Sequence, residues 1–213
     1  MKKLILCAAV AIFGLTSIHA QDNSMNNTND GIDFGIKAGV NFAKLTGDDV
    51  EDADGRTGIH FGIVAEIPVS DVFSIQPEVL YSQQGLQQDF EGGESKLKLD
   101  YINVPVFAKF YVAEGLAFEF GPQFGFNVSA KSEFQIEGAS GEETASIESD
   151  LEDSVEAFDF GAGAGVSYKF DGGMFLQARY VLGLTSVYQG SSEGLFQDDL
   201  NNSNLSVSLG YKF

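Results

Sequence analysis

Strict alternation of large apolar with small or polar residues constrains this chain more than any other feature. At its end, Leu205, Val207, Leu209, Tyr211 and Phe213 take alternate positions, with Ser206, Ser208, Gly210 and Lys212 between them. A period of two places the two sets on opposite faces of a strand. The same two-faced pattern recurs about eight times from Ile32 onward. After position 21 no apolar run approaches the ~18 residues a spanning helix needs. Yet 44% of the chain is hydrophobic and 25 residues are glycine, so the apolar content is abundant but dispersed by alternation. The pattern predicts an all-β fold, an eight-stranded antiparallel up-and-down transmembrane β-barrel with its apolar face toward lipid.

The first twenty residues read differently. Lys2 and Lys3 precede an apolar run from Leu4 to Leu15, and the small Ala20 is followed by Gln21, the layout of a secretory signal peptide. Residues 1–20 are therefore expected to be removed. Cys7, the only cysteine, goes with them, which leaves no thiol for disulfides, metal sites or nucleophilic chemistry. Residues 21–31, rich in Asn, Asp and Ser, read as a flexible periplasmic leader, and 32–213 as the barrel. Past residue 20, ten basic residues face thirty-one acids. A chain of that charge is repelled by nucleic acid.

Strands and connections alternate in length. The first strand presents Ile32, Phe34, Ile36, Ala38, Val40 and Phe42 outward and is followed by an acidic loop, Leu45 to Thr57. The second (Ile59 to Ile67) turns at Val69 to Val72 into the third (Ile75 to Tyr81), and a polar loop is read from Gly85 to about Lys98. The fourth (Ile102 to Phe110) turns at Ala113 to Gly115 into the fifth (Leu116 to Val128), and the longest loop is read from about Lys131 to Glu156. The sixth (Phe158 to Phe170) turns at Asp171 to Gly173, a strong hairpin sequence, into the seventh (Leu176 to Leu184). A fourth loop, Tyr188 to Asn202, precedes the last strand. Four long loops at one rim and three short turns at the other is the asymmetry of outer-membrane barrels. Tyr81, Tyr101, Tyr111, Tyr168, Tyr211 and Phe213, near strand ends, are expected to form interfacial girdles.

The charges sort by place. Twenty of the thirty-one acids fall in the four long loops. On inward positions stand Lys37, Lys109, Lys169, Arg179 and Lys212, opposed by Asp33, Glu66, Glu78 and Glu119. An eight-stranded barrel is wide enough only to be filled by side chains, and buried charges must be paired. These nine residues are therefore predicted to form a lumen-plugging ion-pair network. Asp48, Asp49, Glu51, Asp52 and Asp54 resemble a calcium loop, but no Glu stands at the twelfth position. A solvated, repulsive loop is the default there, with weak divalent-cation binding as the sharper reading. His60, the only histidine past the leader, faces inward with no evident Ser and Asp partners, so no hydrolase triad is assembled from it. No catalytic residue, metal site or cofactor is predicted.

Several segments carry a resemblance: Gly35-Ile36-Lys37-Ala38-Gly39-Val40-Asn41; Tyr101 through Phe110; Phe160-Gly161-Ala162-Gly163-Ala164-Gly165; Arg179-Tyr180 with Gly183-Leu184; and Gly210-Tyr211-Lys212-Phe213. In that order they resemble the PorT-like outer-membrane β-barrel family, similar in architecture to the small OmpA and OmpX barrels. The resemblance implies the outer membrane of a Gram-negative cell, a surround of outer-membrane lipids, and reading of Tyr211 and Phe213 by the barrel-assembly machinery. One member type is associated with secretion of surface proteins, and that role would come to this chain only by fold-level analogy.

The favoured function is a non-enzymatic membrane barrel whose acidic loops meet a partner outside, in a structural, adhesive or secretion-associated role. The alternative is a soluble lipocalin-like barrel, in which the same alternation encloses an apolar ligand. Its polar face should then be dense in Lys and Glu. Here that face is mostly Gly, Ser, Asn and Gln with balanced charges, which favours a packed lumen.

Overall fold

The structure, a computed structural model, describes residues 31–46, 54–90, 93–137, 143–151, 155–186 and 201–213. The predicted signal peptide and all but the last residue of the leader lie outside these. The described residues form nine strands: β1 (Asp33–Thr46), β2 (Asp54–Ser70), β3 (Phe73–Phe90), β4 (Gly93–Ala113), β5 (Leu116–Glu137), β6 (Glu143–Asp150), β7 (Phe158–Lys169), β8 (Met174–Ser186) and β9 (Asn201–Lys212). All pairings are antiparallel. Each strand of the wall pairs with the next, β5 pairs with β7, and β9 returns to β1, which closes an eight-stranded cylinder. Closure matters in lipid, where an open sheet edge would leave backbone groups unsatisfied.

The two faces of the wall fall as alternation requires. Phe34, Ile36, Phe42, Phe61, Phe118, Phe120, Tyr180, Leu182 and Leu209 are each about half exposed on the outside, while Lys37, Asn41, Glu78, Lys109, Glu119 and Arg179 are buried inside. A lipocalin-like barrel needs the reverse burial, and that alternative is overturned.

Three expectations about the connections are corrected. The supposed loop from Gly85 to Lys98 is strand on both sides: Gly85 pairs with Lys98, and the ladder continues to Phe90 opposite Gly93. The longest loop likewise contains the end of β5 and the whole of β6, paired from Lys131–Asp150 to Glu137–Glu143. The first loop is shorter than its predicted bounds, since β1 reaches Thr46 and β2 starts at Asp54. Polar composition suggested loops here, but water-exposed strands have no lipid face and need no apolar row.

At the long-loop end, Leu99, Tyr101, Ala130 and Val155 form a buried apolar cluster with Leu86, Leu97 and Leu151 packed against it. Tyr101 is 1% exposed and does not belong to a girdle. It shares the inward parity of Asn103 and Phe107, opposite to that of Ile102. Tyr111 is also inward, its hydroxyl donating to Glu66. Tyr168, Tyr211 and Phe213 do lie on the outer face at the short-turn rim, with Tyr168 against Phe170 at 4.9 Å and Tyr211 against Phe213 at 5.7 Å. Tyr81 packs outside against Phe61 at 5.4 Å and donates to Asp100 at 2.8 Å. At the β7–β8 turn, Gly172 and Gly173 take φ of 94° and 92°, values that exclude most side chains.

Candidate functional site

The lumen is layered. Toward the short turns, Glu66 on β2 accepts hydrogen bonds from Ser74 (2.6 Å), from the Tyr111 hydroxyl and from Lys212. Lys109 lies 3.5 Å from Glu66 and 3.5 Å from Glu119. One layer further in, Arg179 on β8 donates through both terminal nitrogens to Glu78 (3.2 and 2.9 Å) and through Nη2 to Glu119 (2.9 Å). Lys37 completes this layer, 2.7 Å from Glu78. The guanidinium carbon sits 3.7 Å from the centroid of the Phe107 ring, so Arg179 is held by charge on its edge and by the ring quadrupole on its face.

Seven of the nine predicted lumen residues are brought together in this way: Lys37, Glu66, Glu78, Lys109, Glu119, Arg179 and Lys212. Four are cationic and three anionic. The remaining positive charge is met by amide oxygens: Gln177 accepts from Lys37 at 2.6 Å, and Gln76 accepts from Lys109 at 3.2 Å and from Lys212 at 3.1 Å. Asp33 and Lys169 pair with each other at 2.9 Å but are 38% and 34% exposed. They sit at the short-turn rim, where β1 begins and β7 ends, apart from the buried cluster.

Above the charges lies a neutral layer. Asn41 donates through Nδ2 to Ser82 Oγ (2.8 Å) and to the Gln83 carbonyl (3.1 Å), which turns its Oδ1 toward His60 Nδ1 at 2.8 Å. The Nδ1 nitrogen must then carry the proton. Nε2 is left to accept from Ser208 Oγ at 2.7 Å. This has the connectivity of a serine–histidine–amide relay, joining β9, β2 and β1. All three side chains are at most 3% exposed, so the relay ties strands together rather than presenting a nucleophile. Asn204 donates to Asn41 at 3.2 Å, and Asn202 to Gln84. Among the described residues, no group of three or more His, Cys, Asp or Glu is placed to hold a metal ion. Asp48, Asp49, Glu51 and Asp52 lie outside those residues. Asp54 opens β2 opposite Gln87.

At the long-loop end the wall does not stop evenly. After its last pair with β7, Phe126 with Phe158, β5 continues from Asn127 to Glu137, about 35 Å of strand at ~3.3 Å per residue. With the ends of β3 and β4 and the whole of β6 it makes a one-sided, four-stranded projection. Its outer face carries the ion pairs Lys96–Glu94 and Lys98–Glu133. The hydrogen bond from Lys98 holds the Glu133 carboxyl below the ordinary carboxylate range.

An apolar wall facing lipid around a lumen packed with paired charges agrees with comparison to known proteins. Residues 19–189 match the family described as "Outer membrane protein beta-barrel domain". The chain belongs to that family. It is accordingly a protein of the Gram-negative outer membrane. Among solved structures it is similar to Neisserial surface protein A, with 17% identity, 86% of this chain and 99% of the other covered, and a TM-score of 0.50. It is also similar to Ail, the attachment invasion locus protein of Yersinia pestis, in complex with sucrose octasulfate, with 15% identity, 85% and 99% covered, and a TM-score of 0.48. At such identities the first likeness shows a shared fold and nothing more. No curated protein matches the sequence.

Several members of this β-barrel's lumen were not singled out from the sequence. Gln76, Gln177, Asn41, Ser208, Phe107 and Phe175 are each at most 2% exposed. The signal was available, because each stands an even number of positions from an inward charge on its strand: Gln76 from Glu78, Phe107 from Lys109, Gln177 and Phe175 from Arg179. The aromatic pair also needs glycines beside it, Gly210 directly opposite Phe175 in the β8–β9 ladder and Gly163 on β7 facing Phe107. A Cβ at Gly210 would lie 2.2 Å from Phe175 Cζ, and one at Gly163 would lie 2.9 Å from Phe107 Cζ, both below any tolerable contact.

Proposed function

We propose that this outer-membrane β-barrel is a non-enzymatic surface-display protein, its long-loop end facing outward and its acidic loops meeting a partner protein there. The observation that carries the reading is the division of labour between the two halves. Closely paired buried charges fill the cylinder, which suits a plug rather than a channel, while the length beyond the membrane goes into a projecting sheet and acidic connections. The nine predicted lumen residues are assigned to this plug and its short-turn rim. The narrower PorT-like resemblance, with a secretion-associated partner, belongs to the same proposal. Its support is the order of the quoted segments, which fall on β1, β4, β7, β8 and β9. Residues 1–20 act as the export signal, 21–31 as the periplasmic leader, and Tyr211 with Phe213 as the feature read by the assembly machinery.

An epitope inserted between Ala139 and Ser140, in the β5–β6 connection, tests the orientation. Antibody should label intact cells as strongly as cells with a ruptured outer membrane. Labelling only after rupture would overturn the outward placement and with it the display role.

A further inference from the structure

Charge pairing inside the cylinder leaves one carboxylate over. All ten basic residues past position 20 fall within the described residues, and the connections between those residues carry none. Seven of the ten form ion pairs with Asp33 or with one of five glutamates. Of the other three, Lys44 is exposed on the outer face of β1, Arg56 donates to the Gln84 carbonyl at 2.7 Å, and Lys131 stands opposite Asp150 in the projection. None faces Asp159. That residue shares the inward parity of Gly161 and Gly163 on β7 and is partly buried. Its carboxylate accepts from Thr185 Oγ1 at 2.9 Å and from the Asn202 amide, both neutral donors. A carboxylate drawn out of water calls for a counter-charge.

Register gathers oxygen ligands at the same level. Asn103 on β4 is opposite Gly125 on β5, and Gly125 is opposite Asp159 on β7. A Cβ at Gly125 would lie 3.1 Å from Asn103 Oδ1, 3.3 Å from Asp159 Cβ and 3.4 Å from Tyr101 Cδ1, so three side chains converge where the glycine has none. From β9 come Asn202 and Asn204, 5% and 7% exposed, and the Oδ1 of each has no hydrogen-bond partner among the described residues. Their amide nitrogens are committed to Gln84 on β3 and Asn41 on β1. The oxygens are thereby turned away from those two strands, with their lone pairs unused.

We infer that this level, between the His60 layer and the apolar cluster, is a binding site for one monovalent alkali cation. The ligands are the Asp159 carboxylate and the side-chain oxygens of Asn202 and Asn204. Carboxylate and amide oxygens are hard ligands that suit alkali and alkaline-earth ions rather than transition metals. Charge selects between the first two classes. Asp159 supplies a single negative charge, and the layers beneath already hold four cations against three anions, so a divalent ion would add repulsion. Because the apolar cluster roofs the site, the ion enters as the barrel folds.

The test refolds the full barrel into detergent micelles in choline, sodium or potassium chloride at equal ionic strength, and reads unfolding by heat-dependent gel mobility. Sodium or potassium is expected to raise the midpoint above that in choline by about 3 °C or more, as a ligand bound only by the folded state does. Asp159→Asn should abolish that difference while keeping the folded gel shift, and should unfold in choline no earlier than the unaltered protein, since it removes the unpaired charge. Asn204→Leu should shrink the difference whatever its effect on the midpoint itself. Broadening of the sodium NMR line by the unaltered barrel, lost in Asp159→Asn, would report the bound ion directly. Equal midpoints in all three salts, or a salt difference that survives Asp159→Asn, would overturn the inference.

Discussion

Arg179 shows how one residue organises the lumen. It is 3% exposed, contacts two carboxylates from β3 and β5, and stacks on Phe107 from β4. Four strands therefore meet through one side chain. Replacing it with Leu leaves Glu78 and Glu119 buried with less compensating charge, a loss of about 3–5 kcal/mol for a broken buried pair. The expected result for Arg179→Leu is a clear drop in the unfolding temperature of the detergent-extracted barrel, read by its heat-dependent gel mobility. Adding Glu78→Gln should restore part of it. An unchanged transition would mean that Glu78 and Glu119 are satisfied without the guanidinium.

At the scale of elements, the strands of the wall differ in length, with β2 at 17 residues between the extremes. β1, β7, β8 and β9 run 12 to 14 residues, close to what a tilted strand needs to cross. β3, β4 and β5 run 18 to 22 residues, and the surplus builds the projection. Because that surplus makes no pair with β7, removing it should leave the closed cylinder intact. Deletion of residues 137–153 takes away β6 and is expected to preserve outer-membrane insertion and the folded gel shift. Loss of insertion would show that the β5–β6 hairpin contributes to closing the barrel.

The described barrel is a cylinder filled from its charged layer through its neutral layer to an apolar cluster at the long-loop end. Among the described residues every buried charge is engaged and Leu99, Tyr101, Ala130 and Val155 stand above them, so such a filling is expected to block ions. In planar bilayers the purified protein should show no steady conductance, whereas Glu78→Ala with Arg179→Ala, which removes the central plug, should show discrete openings. A stable conductance in the unaltered protein would contradict the plugged reading.

The cylinder itself was legible without coordinates. A two-residue period is local information, and once a membrane is the solvent it dictates which side chains face lipid, so the outward rows of β1, β5, β8 and β9 and the inward place of Arg179 could be read directly. The short turns were equally plain, because Asp171-Gly172-Gly173 carries its backbone requirement in its composition. The projection was not, because strands with water on their outer face carry no lipid-facing row, and Gly85 to Lys98 then reads as loop. Nor could spacing show that Asn41, His60 and Ser208 meet, or that Phe175 needs Gly210 and Phe107 needs Gly163. Those contacts depend on the exact register of neighbouring strands and on closure of the sheet, which brings β9 beside β1. The alternation determined the faces. The partners across the lumen were decided by the tertiary structure.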